Sequence, residues 1–182
     1  MATTKLMTAE DLWLMGADGW RHELIRGELI QMPPASHLHS ILAGWIVTVL
    51  NMHVRPRQLG HVSGADGGYI LSRNPDVVVA PDAAFVRADR LPPQDDMPTY
   101  PELAPDLAVE VVSPSDRMND VSDKVMLYLD AGTRLVWVVQ PRFKTVTVHY
   151  PDRTTRTVTI DDKLHGGDVL PGFTLAVADL FS

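Results

Sequence analysis

Residues 107–140 restrict the fold more than any other part of the chain. LAVEVV is an apolar run interrupted once, by Glu110. Turn residues Ser113, Pro114 and Ser115 follow, then a helical stretch from Asp116 to Ala131 stopped by Gly132, then a second apolar run, LVWVVQ. Apolar runs without alternation mark strands covered on both faces, and a strand, helix, strand succession joins parallel neighbours through a crossover. The same run carries a chemical anomaly. An ionised carboxylate in a low-dielectric strand costs several kcal/mol unless a cation or hydrogen-bond donors compensate it. A bound metal ion is the usual cation, which makes Glu110 a candidate ligand.

The remaining elements are shorter. Thr8 and Asp11 form a capping-box pattern ahead of Leu12, Trp13 and Leu14, and Gly16 ends that helix. HELI and ELIQM, separated by Arg26-Gly27, read as a hairpin bearing Glu23 and Glu28, ended by Pro33-Pro34. Ser36 can cap a longer helix in which Leu38, Ile41, Leu42, Trp45, Ile46, Val49 and Leu50 keep helical spacing up to Pro56. Further on come strand and turn around Tyr69-Ile70-Leu71, two short strands at 77–80 and 83–86, and a Pro-rich surface loop over 91–105. A hairpin around PDRT and short apolar closing elements complete the chain. One crossover among several hairpins predicts an α/β fold, a central mixed β-sheet flanked by helices, with residues 1–182 as one domain.

Composition narrows the chemistry. The chain has 182 residues, 45% of them hydrophobic, enough to bury one continuous core. With no cysteine, disulfides, zinc–thiolate sites and thiol catalysis are excluded. The N-terminal stretch has neither a basic start nor a long apolar core, so the expectation is a soluble cytoplasmic protein with no membrane partner. A net charge of −7 gives no bulk attraction to nucleic acid. Arg55, Arg57, Arg73, Arg142, Lys144, Arg153 and Arg156 are either a local phosphate-facing patch or ordinary solvated charges. No Walker loop, G-x-S-x-G elbow, H-E-x-x-H or dinucleotide-binding glycine pattern is present.

Along a strand, Ala108, Glu110 and Val112 share one face and Leu107, Val109 and Val111 the other. On the next helix Val121, Lys124, Val125 and Tyr128 fall at i, i+3, i+4 and i+7, which puts Lys124 on the inward stripe. A lysine there either snorkels to solvent or meets Glu110. Four Pro-Asp pairs end at Asp76, Asp82, Asp106 and Asp152, and each is by default a turn marker. Asp82 is the favoured acid because it opens the strand AAFV ahead of the Glu110 strand. Asp76 is its rival, and Asp106 is expected to be a turn residue outside any metal shell.

PDAAFV, PDLAVEVVSPSD, DKVMLYLDAGTRLVWVVQP, LPGFTLAVADLF and the N-terminal HELIRGELIQMPPASHLH together resemble the Uma family of restriction-endonuclease-like proteins in the PD-(D/E)XK nuclease superfamily. The resemblance implies a core that binds Mg²⁺, or Mn²⁺, through Asp82 and Glu110. The superfamily pattern expects a lysine two residues after that Glu, where this chain has Val112. In the Uma-like pattern the lysine sits on the following helix, at the place of Lys124. Glu23 matches an N-terminal acidic residue that serves as a further catalytic, metal or water ligand, and His39 matches the His at the start of the long helix, where it could equally be a helix-start hydrogen-bonder.

The expected activity is therefore Mg²⁺-dependent hydrolysis of DNA, with a homodimer as the arrangement that would cut both strands. The alternatives are a catalytically decayed nuclease-fold module that binds nucleic acid or protein, and a structural Glu110–Lys124 ion pair in an unrelated α/β protein.

Overall fold

The computed structural model describes residues 6–16, 18–114 and 116–182, with Gln94 described by its backbone only. Helix α1 (Ala9–Leu14) begins with the expected capping box: Thr8 accepts from the Asp11 N–H, and the Asp11 carboxylate accepts from the Thr8 N–H. Strands β1 (Arg21–Ile25) and β2 (Glu28–Met32) form the predicted hairpin. Its two-residue turn, Arg26 at φ 54° and Gly27 at φ 79°, twists in the sense that antiparallel strands require.

Helix α2 (His37–Val54) is capped by Ser36, whose hydroxyl accepts from the His39 N–H. Only one of its faces meets the sheet. Leu42, Ile46, Leu50 and Val54 are buried, whereas Leu38, Ile41 and Trp45, expected on the same apolar stripe, face outward. The helix is apolar nearly all round, so periodicity alone could not choose the covered face.

The strands that follow are β3 (Gly60–Gly64), β4 (Tyr69–Ser72), β5 (Val77–Val79), β6 (Ala83–Arg87) and β7 (Leu107–Val111). Then come α3 (Met118–Asp130), β8 (Leu135–Gln140), β9 (Thr145–His149), β10 (Thr155–Val158), β11 (Lys163–His165), β12 (Thr174–Ala176) and α4 (Val177–Leu180). The expected start of α3 at Asp116 lies two residues too early. Asp116 instead accepts from the Ser113 N–H at 2.7 Å and closes the turn before the helix. Ser115 of that turn lies outside the described residues.

The mixed sheet is ordered β10-β9-β8-β7-β6-β3, with β7 and β8 parallel across the α3 crossover and its other pairs antiparallel. A second, antiparallel sheet runs β2-β1-β5-β4, and β11 pairs with β12. The consecutive strands β5 and β6 therefore lie in different sheets. Pro81 between them has no N–H to continue a ladder, and the Ala80 N–H is taken by Glu23 Oε1 at 2.8 Å.

Alternation along β7 divides the interior in two. Leu107, Val109 and Val111 pack with α2, Trp137 and the C-terminal elements. Ala108 packs with Val125, Tyr128 and Leu129 of α3 and with Val77 and Val79 of β5. Glu110, two residues on from Ala108, points into this second layer between the two sheets.

Candidate active site

Four elements bring the site together. Ala83 pairs with Val109 and Ala84 with Ala108. One residue further along, that antiparallel register sets Asp82 opposite Glu110 on the same face. The Val111 N–H donates to Asp82 Oδ2 at 2.8 Å, which locks the aspartate onto β7. From α3, the Lys124 ammonium lies 3.0 Å from Glu110 Oε1 and 2.7 Å from Glu23 Oε1, and so bridges a carboxylate of each sheet. Tyr128, one helical turn on, donates its hydroxyl to Glu110 Oε1 at 2.7 Å. The sequence-predicted residues Asp82, Glu110, Lys124 and Glu23 thus form one cluster.

His39 and Arg21 complete it. His39 Nε2 lies 2.9 Å from Asp82 Oδ2, and Arg21 reaches Asp82 Oδ1 at 3.4 Å. His39 is at the helix start, as expected, but its ring bonds the catalytic candidate instead of the cap. Its Nδ1 is buried and has no hydrogen-bond partner among the described residues. Sequence reading missed Arg21 and Tyr128. Tyr128 was legible only as one member of an apolar stripe, and the available signal was its hydroxyl one turn from Lys124.

The rival aspartates do structural work elsewhere. Asp76 accepts from the Ala9 N–H at 2.8 Å, the Asn74 N–H at 3.3 Å and Arg73 at 2.9 Å, tying the start of α1 to β5. Asp106 accepts from the Arg87 N–H and pairs with Arg90, both at 2.9 Å, which agrees with its reading as a strand-start residue. The proposed basic patch loses two members. Arg73 is committed to Asp76, Glu10 and Glu102, and Arg153 to Asp130.

Electrostatics set the site apart from an ordinary ion pair. Burial, together with the charges of Asp82 and Glu23, pushes the Glu110 carboxyl up to about 7 against the pull of Lys124 and the Tyr128 hydroxyl. Burial acts against the Lys124 ammonium, but Glu110 and Glu23 outweigh it and hold its pKa above the usual lysine value. Asp82 is held below the usual carboxylate range: burial opposes this, while His39, the Val111 N–H and Lys124 favour the anion. Asp82 lines an open cleft of about 570 Å³ with His39 and Arg21, while Glu110 and Lys124 are each about one-seventh exposed.

Carboxylate oxygens are the hard ligands that Mg²⁺ takes, typically one or two side chains with waters and substrate phosphate completing the shell. Asp82 and Glu110 fit that donor chemistry, and the raised Glu110 value marks a place where negative charge is under-compensated. Among the described residues no group of three or more His, Cys, Asp or Glu side chains is arranged to hold an ion by itself.

A mixed sheet with an Asp and a Glu side by side on adjacent strands, and a lysine brought over them from the crossover helix, defines a restriction-endonuclease-like nuclease fold. The family model described as "putative restriction endonuclease" (Uma2) matches residues 9–178, and the chain belongs to that family. Among solved structures, the chain is similar to the crystal structure of "a putative nuclease belonging to DUF820" from Anabaena variabilis ATCC 29413. The TM-score is 0.86 at 23% identity over 96% of this chain and 97% of that one. Comparison with curated proteins gives no match. No helix among the described residues is long and apolar enough to cross a membrane.

Proposed function

We propose that this protein is a Mg²⁺-dependent endonuclease that hydrolyses DNA phosphodiester bonds, with Mn²⁺ able to substitute. The observation that carries the reading is the convergence of Asp82, Glu110 and Lys124 from separate segments, with Asp82 on an open cleft and the other two about one-seventh exposed. Asp82 and Glu110 would hold the ion, which when bound polarises the scissile phosphate and lowers the pKa of a bound water. Lys124, kept charged by its two carboxylate neighbours, orients the attacking water or offsets negative charge as it develops on the phosphate. Glu23 positions Lys124 and is itself fixed by the Ala80 N–H. His39 and Arg21 hold Asp82 in its anionic form and orientation.

The proposal includes action in the cytoplasm and, for cutting both strands of a duplex, a symmetric homodimer. The uncharged outer face of α2, with Leu38, Ile41 and Trp45 about half exposed, supports an assembly of that kind.

A second reading keeps the fold and drops the reaction: a decayed nuclease domain that binds nucleic acid or protein. The observation in its favour is that Lys124 forms ion pairs with both Glu23 and Glu110, contacts that a purely structural cluster would also make. Incubation with supercoiled, linear and single-stranded DNA in Mg²⁺ or Mn²⁺ separates the two. The nuclease reading requires metal-dependent cleavage that falls by a factor of about 10² to 10³ or more in Glu110→Gln and Lys124→Ala. Wild type and both variants cutting equally, or none cutting at all, refutes it, and binding without cleavage establishes the module.

A further inference from the structure

The cleft beside Asp82 does not end there. It meets a second cleft of about 450 Å³, and the two share Trp20, Arg21, Ala65 and Asp66. Each has the size of a small-molecule site. The second cleft is lined by Trp13, Trp20 and Tyr100, and the two indoles are 60% and 49% exposed. Single exposed apolar residues need no explanation, but aromatic rings gathered around one cleft that opens onto a candidate active site mark a binding surface.

Two of the rings, Trp13 and Tyr100, are held in place. Trp13 meets Tyr100 edge to face with centroids 6.0 Å apart. The Ile70 N–H bonds the carbonyl of Pro101 at 3.0 Å and anchors the Tyr100 loop on β4. Gly68 lies directly under the Tyr100 ring, where a Cβ would come within 2.7 Å of a ring carbon, so a glycine there lets the ring lie against the backbone. Asp66, exposed between the clefts, can accept a hydrogen bond from an exocyclic amine, the group that guanine, cytosine and adenine present. At the junction stands the Arg21 guanidinium, one-quarter exposed and 3.4 Å from Asp82.

We infer that the Trp13, Trp20 and Tyr100 cleft receives an unstacked nucleobase of the substrate strand, with Arg21 on an adjoining phosphate, so that the substrate class is single-stranded, looped or frayed DNA. This rests on the nuclease reading and adds its substrate class. It also accounts for nucleic-acid binding by a chain of net charge −7: base stacking does not depend on a basic surface, because every base has a π-face.

The test uses wild-type protein in chelator and fluorescein-labelled 12-mers read by anisotropy, as single strand, duplex and a fully abasic strand that keeps the phosphates. The single strand binds tighter than the duplex. Trp13→Ala and Trp20→Ala each weaken single-strand binding by about 5- to 150-fold, the range of one base–aromatic stack. Phe143→Ala, a similarly exposed ring that lines neither cleft, leaves binding unchanged. The abasic strand binds as weakly as the Trp variants bind the normal one. The log–log salt slope is shallow, on the order of −1, as expected for one or two phosphate contacts. Unchanged binding in both Trp variants, or an abasic strand bound as well as the normal one, overturns the base cleft while metal-dependent cleavage by wild type still stands. A wild type that neither binds nor cleaves any of the DNAs overturns both readings.

Discussion

Replacing Glu110 by Gln should stabilise the metal-free protein at alkaline pH and not at acid pH. The folded-state pKa of Glu110, about 7 against an ordinary 4.5, means that the folded protein binds more protons than the unfolded chain across that window. Stability therefore falls as pH rises from about 4.5 to 7 and stays reduced above it. Two and a half pH units at about 1.36 kcal/mol each amount to roughly 3 kcal/mol. Glutamine removes the ionisation but offers one acceptor oxygen where Glu110 accepts from both Lys124 and Tyr128, and a lost hydrogen bond returns about 1 kcal/mol. The net gain is about 2 kcal/mol at about pH 8, a rise in Tm on the order of 4 to 8 °C for a domain of this size. By about pH 4.5 the gain disappears, because wild-type Glu110 is then protonated in the folded state. Urea denaturation of both proteins in chelator, at several pH values between 4.5 and 8, measures the difference directly. A variant no more stable than wild type at pH 8, or a difference that does not change with pH, would refute the picture of an under-compensated buried carboxylate.

Millimolar Mg²⁺, Mn²⁺ or Ca²⁺ should raise the wild-type Tm by about 3 to 6 °C, since a ligand at roughly tenfold excess over Kd contributes about 1.4 kcal/mol. An Asp82→Asn, Glu110→Gln double variant should show no such rise, and an equal shift in both proteins would mean that the ion binds scattered surface acids. Tyr128→Phe removes a hydrogen bond that holds the Glu110 carboxyl down, so the acid limb of the pH–rate profile should move to higher pH; an unmoved limb would separate Tyr128 from the reacting carboxylate. Asp76→Ala should lower stability by about 1 to 2 kcal/mol through loss of its bonds to the Ala9 and Asn74 N–H groups while specific activity at low temperature is retained. Loss of activity in a folded Asp76→Ala protein would restore Asp76 as the metal-binding acid.

Local pattern alone determined most of the elements and two of the site residues. The capping box at Thr8, the Arg26-Gly27 hairpin, the apolar runs around α3 and the helical stripe through Lys124 follow from interactions within a few residues, and those are written in order along the chain. Glu110 and Lys124 were legible for the same reason, as charges placed where the periodicity requires apolar side chains. Strand order favoured Asp82, which opens the strand ahead of the Glu110 strand, but Asp76 stayed a rival because both follow a proline and precede a short strand. Only the tertiary structure separates their surroundings: at Pro81 the chain passes from β5, which stays in the other sheet next to α1, to β6 in the mixed sheet beside β7. The reach of His39 and Arg21 to Asp82, and of Glu23 to Lys124, likewise depends on how two sheets and two helices pack. Contacts between groups so far apart in sequence leave no periodic trace, because the free energy that selects them comes from burying the whole interior at once and not from any one segment.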